Sequence, residues 1–367
     1  MVVQTGQCGL VDDMIQIQVY DEIQPRNQFK SYSNKNRDRR HNNIHRYLEK
    51  YKGTKLNVCL IINESYILPC MDLIYKQKLT SKFDKIIIYC NELFWDSFND
   101  SKILQDKIDK IDDSEKITII FNFFCDNPFD LKNINYITSI GGLGEIARHY
   151  LYKYKFKSLR ENYKNIKYNV ISKFGNPSEE KIFVYNKIKE FKNIIYSINS
   201  SESYLFDSPD VDISPTKFPS EEKASGSFRD WSLPMEDFQS ASEIIVETRF
   251  STFEDGKRLV TNSEKTLKGF MFRRPVFLFA QPESYPYLKQ YGFKFPKLFG
   301  YDGTKVKQVN GSYETEHFDM VERVCNTSTK DILDFFIEKE DIWEHNYENL
   351  HSFIELHDNR MENVFKD

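Results

Sequence analysis

The chain has 367 residues, of which 40% are hydrophobic and 29% are charged, and its formal net charge is −4 at pH 7. This length suits two domains of ordinary size, and so small a net charge neither implies nor excludes a polyanionic partner. A membrane span needs roughly 20 consecutive apolar residues, and the sequence contains no such run. The acidic residues 1–22 also lack the basic and apolar regions of a secretory signal.

Cysteine usage bears on the cellular compartment and on metal binding. The six cysteines are scattered, with no CxxC pair and no Cys/His cluster, which argues against a structural zinc site. The pattern favours reduced thiols in an intracellular, cytoplasmic protein. The cysteines are Cys8, Cys59, Cys70, Cys90, Cys125 and Cys325.

The first 55 residues are interpreted as a separate N-terminal segment, and residues 26–55 are strongly basic. Arginines such as Arg37, Arg39 and Arg40 suit a nucleic acid or another acidic acceptor. The same charges also fit a solvated loop that leads into a helix over residues 45–51. Both interpretations stay open at this point.

An α/β pattern begins at residue 56. The segments 57–63, 85–91 and 116–124 are short, β-branched and almost wholly apolar, which is typical of strands buried on both faces of a parallel sheet. They start roughly 30 residues apart, which leaves room for a crossover helix each time. We therefore predict an N-terminal Rossmann-like domain over residues 56–156.

Residues 136–151 predict a strand, a glycine turn and a helix. Gly141, Gly142 and Gly144 resemble part of a phosphate-binding loop, but the GxGxxG pattern is incomplete. A tight turn that lets strand and helix approach closely fits these glycines better.

A second Rossmann-like domain is predicted over residues 165–330, followed by C-terminal helices over residues 331–367. Residues 199–233 are rich in Ser, Asp and Pro, which indicates a long loop. Within it, Asp210-Val211-Asp212 is a DxD, a metal-binding pattern, but the nearby prolines favour a loop. The other predicted elements are strand 168–174, helix 178–191, strand 194–198, helix 234–241, strand 242–250, and helices 315–324, 328–336 and 341–356.

Residues 258–295 combine a polar helix start, a buried strand and a second helix. Ser263 or Asn262 can cap a helix that begins near Glu264, and the wholly apolar strand Pro275 to Ala280 follows. The second helix ends at Gly292. At 100° per residue, the first helix has two faces: Lys265, Lys268, Gly269 and Phe272 share one, and Leu267, Phe270 and Met271 share the other.

The lysine-bearing face predicts an anion site. Lys265 and Lys268 lie near a helix N terminus, whose free N–H groups attract anions, and Gly269 permits close approach of a ligand or of backbone. The preceding strand ends near Thr248, and ligands in open α/β sheets bind beyond the carboxyl ends of strands. The alternative is an ordinary amphipathic helix, in which Glu264 and Lys268 form a surface pair worth about 0.3–0.5 kcal/mol.

Several stretches of this region, in order, resemble one enzyme family. VTNSEKTLK at 260–268 and RPVF at 274–277 resemble the (V/T)TEK-x-x-(K/N)…G-x-P-(V/F) signature of fucosyltransferase-type glycosyltransferases, and resemble related virus and phage proteins more closely still. The flanking stretches SEIIVET at 242–248, YLKQYGFK at 287–294 and WEHNY at 343–347 also match in order. The resemblance covers residues 165–350.

This resemblance implies a GT-B architecture, an α/β fold in which two Rossmann-type domains face a cleft and the C-terminal one holds a nucleotide-sugar. It implies that Glu264 contacts the ribose and Lys265 the diphosphate. Ser263, Lys268 and Thr248 complete the nucleotide-sugar site that the resemblance implies.

A second basic residue is implied by the family's SNP…R pattern, which matches GNPSEEK at 175–181. Lys181 stands where Arg is usual, so the charge is kept and the bidentate fork is lost. Ser263 likewise replaces the usual Thr. These two departures leave the donor sugar and its nucleotide open.

The N-terminal half matches no family motif, although it is the half expected to supply the acceptor site and the general base. A base must be a carboxylate or a histidine within reach of the acceptor hydroxyl. The candidates near predicted strand ends are Glu64, Glu92, Asp126 and Glu145. We take Glu145 as the candidate base beside Lys265 as the second catalytic residue.

The sequence thus predicts a glycosyltransferase that is independent of metal ions and cofactors, located in the host cytoplasm if the protein is viral. Its partners are a nucleotide-sugar donor and an acceptor, which is a glycan, a lipid-linked sugar or a modified base of viral DNA. The alternative is a non-catalytic nucleotide- or glycan-binding viral protein that retains the fold. The oligomeric state is left open, and the family resemblance favours inversion of configuration.

Overall fold

The structure is a computed structural model. It describes residues 5–6, 17–21, 58–63, 67–90, 101–121, 131–175, 179–198, 233–247, 264–280, 284–301, 308–309, 312–313 and 315–366. The chain divides into two compact units, one formed by Met1–Ile146 with Ile354–Asp367 and the other by Ala147–Phe353. Residues 354–367 therefore belong to the first unit. The predicted boundaries instead assign residues 331–367 to separate C-terminal helices.

The first unit is built on a six-stranded sheet whose strands lie in chain order. The first two strands pair antiparallel, and every later pairing is parallel. The elements are β1 (Thr5–Gly6), β2 (Ile17–Asp21), β3 (Val58–Asn63), α1 (Ile67–Gln77), β4 (Lys85–Cys90), α2 (Ser101–Ile108), β5 (Ile117–Phe121), β6 (Asn135–Thr138) and α3 (Gly141–Lys153), the last of which continues into the second unit.

The three central strands confirm the prediction of a buried parallel sheet. In β4 and β5, residues such as Ile86, Ile88 and Ile119 are fully buried, as expected for apolar runs covered on both faces. Each such side chain contributes about 1.5–3 kcal/mol by leaving water. Helices α1 and α2 make the crossovers between these strands and pack against one another. The parallel strand β2 was not predicted, because residues 1–55 were interpreted only by their charge.

The second unit contains a four-stranded parallel sheet in the order β10-β9-β7-β8. A short 3-10 helix, Met235–Gln239, precedes β9 and is called the 3-10 turn below. The elements are α4 (Leu159–Asn162), β7 (Tyr168–Gly175), α5 (Glu179–Ile188), β8 (Ile194–Ile198), β9 (Ser240–Val246), α6 (Glu264–Met271), β10 (Val276–Phe279), α7 (Ser284–Gln290), β11 (Gln308–Val309), β12 (Ser312–Tyr313), α8 (Thr315–Asn326), α9 (Thr329–Ile337) and α10 (Glu340–Lys366), whose last turns belong to the first unit.

Helices cover both faces of this second sheet. Side chains alternate along a strand, so Ile245 and its neighbour Val246 point to opposite faces of the sheet. Phe279 pairs with Val246 and therefore points to the face opposite Ile245. Helix α6 packs on the Ile245 face through Gly269, and α8 packs on the other face, where the rings of Phe318 and Phe279 lie 5.0 Å apart. Helix α5 lies on the α8 side, since Phe183 contacts Phe318.

Two helical predictions were wrong in extent. Residues 234–241 were predicted as one helix, but the 3-10 turn ends at Gln239 and β9 begins at Ser240, since Ser240 pairs with Tyr168 of β7. The last helix was predicted to end at residue 356 and continues to Lys366. Its final turns are held in the first unit, where Lys85 Nζ donates a hydrogen bond to the Val364 carbonyl oxygen.

Helix α7 ends at Gln290, two residues before the predicted end, and Gly292 lies in the turn that follows it. Gly292 has φ +89°, which L side chains rarely adopt, and a Cβ there would lie 2.8 Å from Asn349 Oδ1. Among the described residues, no helix is long and apolar enough to cross a membrane.

Candidate functional site

The strand order of the second sheet reverses between β7 and β9. Strand β8 pairs with one side of β7, while β9 and then β10 extend from its other side. All pairings are parallel, so the carboxyl ends of the four strands lie at one edge. Such a reversal leaves a crevice outside the carboxyl ends of the two central strands, which is where open α/β sheets bind ligands.

Helices α5 and α6 begin at this carboxyl edge, one on each face of the sheet. Helix α5 follows β7, which ends at Gly175. Helix α6 is anchored at the edge by Thr266, whose hydroxyl donates a hydrogen bond of 2.6 Å to the buried carboxylate of Glu247 directly after β9. The free N–H groups and the helix dipoles give both helix starts a partial positive charge. The edge is therefore suited to an anion.

Two of the predicted basic residues lie in the first turns of these helices. Lys181 lies near the start of α5 and is only 5% exposed, which is rare for a lysine. Lys265 is the second residue of α6 and is half-buried. The fold thus places both cations at the edge where the strand order reverses, on opposite faces of the sheet.

Lys268 lies one helical turn further along α6. Its Nζ atom is 5.0 Å from the centroid of the Tyr150 ring in α3. A cation–π contact of this kind contributes about 0.5–2 kcal/mol and holds the ammonium group in place.

Gly269 faces the sheet, so its predicted position on the ligand-facing side of α6 was wrong. A Cβ at this position would lie 2.5 Å from Ile245 Cδ1 and 2.9 Å from Val276 Cγ2. The missing side chain lets the helix pack closely against β9 and β10. Helical periodicity misplaced it because glycine has no hydrophobic side chain to mark the buried face.

Of the other three predicted donor-site residues, the structure describes only one, and only through its backbone. Glu264 is the first residue of α6. Ser263 and Thr248 lie outside the described residues. Their roles in nucleotide-sugar binding stay predictions.

The predicted base and the glycines before it lie inside a helix. Helix α3 begins at Gly141, so Gly142, Gly144 and Glu145 belong to its first turns. The glycine turn expected between strand and helix was therefore wrong, and Glu145 does not sit at a strand end. The candidates Glu64, Glu92 and Asp126 lie outside the described residues.

Sequence reasoning overlooked two buried polar residues at the carboxyl edge. Glu247 is 1% exposed and follows β9, and a carboxylate directly after an apolar strand is a signal that a sequence can show. His317 lies in the first turn of α8, where its ring meets the Phe279 ring edge-on at 4.3 Å. Burial lowers the pKa of His317 from 6.5 to about 4, so the imidazole is neutral at pH 7. A lone histidine carries no comparable sequence signal.

A cluster of four charged residues lies beneath the 3-10 turn that precedes β9. Lys173 Nζ is 2.6 Å from Asp237 Oδ1 and 3.0 Å from Glu243 Oε1. Arg274 Nη2 donates a hydrogen bond of 2.9 Å to Glu243 Oε2. The side chains of Asp237, Glu243 and Arg274 are at most 3% exposed. We call these four residues the buried ion cluster.

The pKa values within the buried ion cluster shift in different directions. Burial raises the pKa of Asp237 and outweighs the opposing effect of Lys173. For Glu243 burial acts in the same direction, but Lys173 and Arg274 together outweigh it and lower the pKa. Burial disfavours the charged form of Lys173, yet the two carboxylates raise its pKa. Glu243 is therefore the firmly ionised carboxylate of the pair.

Metal ligation has no support among the described residues, in which no group of three or more His, Cys, Asp or Glu side chains is arranged to hold an ion. The DxD at 210–212 lies outside them. The described cysteines form no disulfide and are buried, and burial raises the pKa of Cys59 and Cys325 to about 12.

Comparison with known proteins returned no relative. No family model matches the chain, and no curated protein or solved structure matches it. The functional assignment therefore rests on the residues and on the geometry of the second sheet.

Proposed function

We propose that the chain binds a nucleotide-sugar at the carboxyl edge of the second sheet and transfers the sugar to an acceptor hydroxyl, as a GT-B-type glycosyltransferase. The observation that carries this proposal is the strand-order reversal between β7 and β9, with Lys181 and Lys265 beside it in the first turns of α5 and α6. The second unit takes the donor role, and the first unit takes the acceptor role.

The diphosphate would lie between the starts of α5 and α6. During transfer the bond between the sugar and the diphosphate breaks, and negative charge grows on the leaving nucleoside diphosphate. Two helix N termini and two ammonium groups stabilise that charge from fixed positions, which is the usual source of large electrostatic rate effects. Glu264 accepts hydrogen bonds from the ribose. A carboxylate of the first unit, with Glu145 as the candidate, takes the proton of the acceptor hydroxyl.

The three lysines should contribute unequally. Lys181 and Lys265 stand at the helix starts, whereas Lys268 stands a turn away with its ammonium group on the Tyr150 ring. We therefore assign the diphosphate mainly to Lys181 and Lys265, with a smaller contribution from Lys268.

A thermal-shift screen against UDP-, GDP- and ADP-linked sugars tests this proposal. A donor at one hundred times its dissociation constant should stabilise the protein by about 2.7 kcal/mol. Lys265→Ala should weaken donor binding about tenfold or more, because it removes a charge-assisted contact. Lys187→Ala is the matched control, since Lys187 lies in the last turn of α5, far from its start. It should bind the donor like the wild type.

Two results would contradict the proposal. One is the absence of a thermal shift with every donor in the panel. The other is unchanged donor binding by Lys265→Ala, which would show that the donor site does not lie at the start of α6. Donor binding without release of the nucleoside diphosphate, in the presence or absence of glycan acceptors, would instead establish the non-catalytic binding protein.

The acceptor stays a glycan hydroxyl, a lipid-linked sugar or a modified base of viral DNA. Arg37, Arg39 and Arg40, which suit the DNA acceptor, lie outside the described residues. The geometry of the second sheet bears on the donor alone.

A further inference from the structure

A cavity of about 200 Å³ lies in the second unit at the amino ends of the strands. It is bounded by residues 155–159, which follow α3, by the 3-10 turn before β9, and by Arg274, which lies just before β10. The proposed donor site lies at the opposite, carboxyl edge of the same sheet. The cavity is therefore independent of the proposed function.

One wall of the cavity is aromatic. Phe156, Phe238 and Phe272 line it and pack on one another, with ring centroids 5.0 to 6.2 Å apart. Phenyl faces of this kind suit the C–H face of a sugar ring or another flat apolar surface.

The floor of the cavity contains buried polar atoms with spare hydrogen-bonding capacity. Asp237 and Arg274 both line the cavity and belong to the buried ion cluster. Asp237 Oδ2 and Arg274 Nε have no hydrogen-bond partner within the described ranges. Because buried polar atoms are almost always paired, an acceptor and a donor left open beside a cavity indicate a ligand that both donates and accepts.

The rest of the Arg274 guanidinium is already occupied. Its Nη1 donates to the backbone oxygens of Asp237 and Ser240, and its Nη2 donates to Glu243. The two terminal nitrogens of the guanidinium, which would hold a ligand carboxylate in bidentate fashion, therefore already donate to protein atoms.

Two lysines supply the remaining positive charge. Lys155 and Lys157 line the cavity and are exposed, and neither has an ion-pair partner in the part of the chain that the structure describes. Lysines act as flexible point charges, which suits a phosphate group. A phosphate monoester carries a charge of about −1.5 to −2 at pH 7, so two lysines match it.

We propose that this cavity binds a small phosphorylated polyol, such as a sugar monophosphate. The phosphate lies between Lys155 and Lys157 at the exposed side. A hydroxyl group donates to Asp237 Oδ2, and a second oxygen accepts from Arg274 Nε. The sugar ring packs on the phenyl wall.

Isothermal titration of the full chain with glucose 6-phosphate, glucose and inorganic phosphate tests this proposal. Glucose 6-phosphate should bind with one site, and each of the two fragments should bind at least about tenfold more weakly, because each engages only half of the cavity. Lys155→Gln/Lys157→Gln changes only exposed side chains, so it should fold and should lose about tenfold or more in affinity for glucose 6-phosphate.

The control pair Lys189→Gln/Lys192→Gln removes the same charge from exposed lysines of the same unit that do not line the cavity. It should bind glucose 6-phosphate like the wild type, and so should Lys265→Ala. Equal loss in both double variants would show a diffuse charge effect and overturn the proposal. Loss of glucose 6-phosphate binding in Lys265→Ala alone would place the ligand at the carboxyl edge and also overturn it, as would the absence of saturable binding by glucose 6-phosphate. The outcome of the donor screen is independent of these results, because that screen uses nucleotide-linked sugars.

Discussion

The two edges of the second sheet use charged side chains in different ways. Beneath the turn that precedes β9, Lys173, Asp237, Glu243 and Arg274 are paired with one another in the protein interior. At the carboxyl edge, lysines accumulate beside helix starts that carry the same sign of charge. Buried pairs act mainly on the stability of the fold, and an edge that gathers positive charge acts mainly on an anionic ligand. Substitutions at the two places should therefore separate stability from binding.

The largest effect on stability is expected from Arg274→Leu. The variant leaves Asp237 and Glu243 buried with Lys173 as their only cation in the cluster, and breaking a buried ion pair costs about 3–5 kcal/mol. The free energy of unfolding in urea measures the loss. Arg160→Leu is the control, because Arg160 is 68% exposed in its ion pair with Glu340 and should lose at most about 1 kcal/mol. Equal losses in the two variants would refute the distinct role of the cluster.

An acid-dependent loss of stability is expected from His317. Its folded pKa of about 4 lies below the ordinary 6.5, so the unfolded chain binds more protons between these values. The contribution of the neutral imidazole is complete above pH 6.5 and is lost as the pH falls towards 4, by about 3 kcal/mol. His357, with a pKa of about 3, acts in the same direction.

Urea unfolding between pH 4 and 7 measures this effect. His317→Gln should flatten the decline of stability, and His149→Gln, at an exposed site, should leave it unchanged. An equally steep decline in His317→Gln and the wild type would assign the acid sensitivity to other groups.

A smaller loss is expected when a methyl group is added to α6. Gly269→Ala forces a Cβ into Ile245 and Val276 and should cost about 1–3 kcal/mol through overpacking. Gly144→Ala in α3 is the matched control, because its Cβ would meet side chains at 3.5 Å or more. Alanine favours the helix there by up to about 1 kcal/mol. Thermal unfolding of both variants should show opposite signs, and a stabilising Gly269→Ala would mean that α6 does not pack closely on β9.

The smallest effect on stability is expected from Lys265→Ala. Lys265 is half-buried at the start of a helix, and its replacement should change the free energy of unfolding by about 0.5 kcal/mol or less. The same variant should lose about half or more of the stabilisation that a nucleotide-sugar confers at one hundred times its dissociation constant. A loss above 2 kcal/mol without donor would show that the carboxyl edge, like the cluster, serves the fold.

The strands could be predicted from the sequence because their signal is local. The run IIYSI predicted β8 at 194–198 without error, and the apolar runs around Ile61, Ile88 and Ile119 predicted β3, β4 and β5. Strand β2 was overlooked, because the first 55 residues were interpreted by their charge. The residue types at 263–268 also indicated a helix start suited to an anion, and the fold places that start at a strand-order reversal.

The candidate sites could be predicted only in part. Lys265 was named because lysine near a helix start is a local pattern, and Lys181 was named because GNPSEEK at 175–181 resembles a family motif. Glu247 and His317 were overlooked, because their burial depends on α6 and on Phe279, which lie far along the chain. The position of Gly269 was wrong because glycine has no hydrophobic side chain to mark the buried face of α6.

The sequence by itself determined that the chain is an α/β protein with buried parallel strands, since apolar β-branched runs and helical periodicity depend only on neighbouring residues. The tertiary structure decided the order of the strands, which reverses in the second sheet and not in the described strands of the first. It also decided that Lys173, Asp237, Glu243 and Arg274 meet in one cluster. These four residues span about a hundred positions, and no local pattern encodes which distant charges will be buried together.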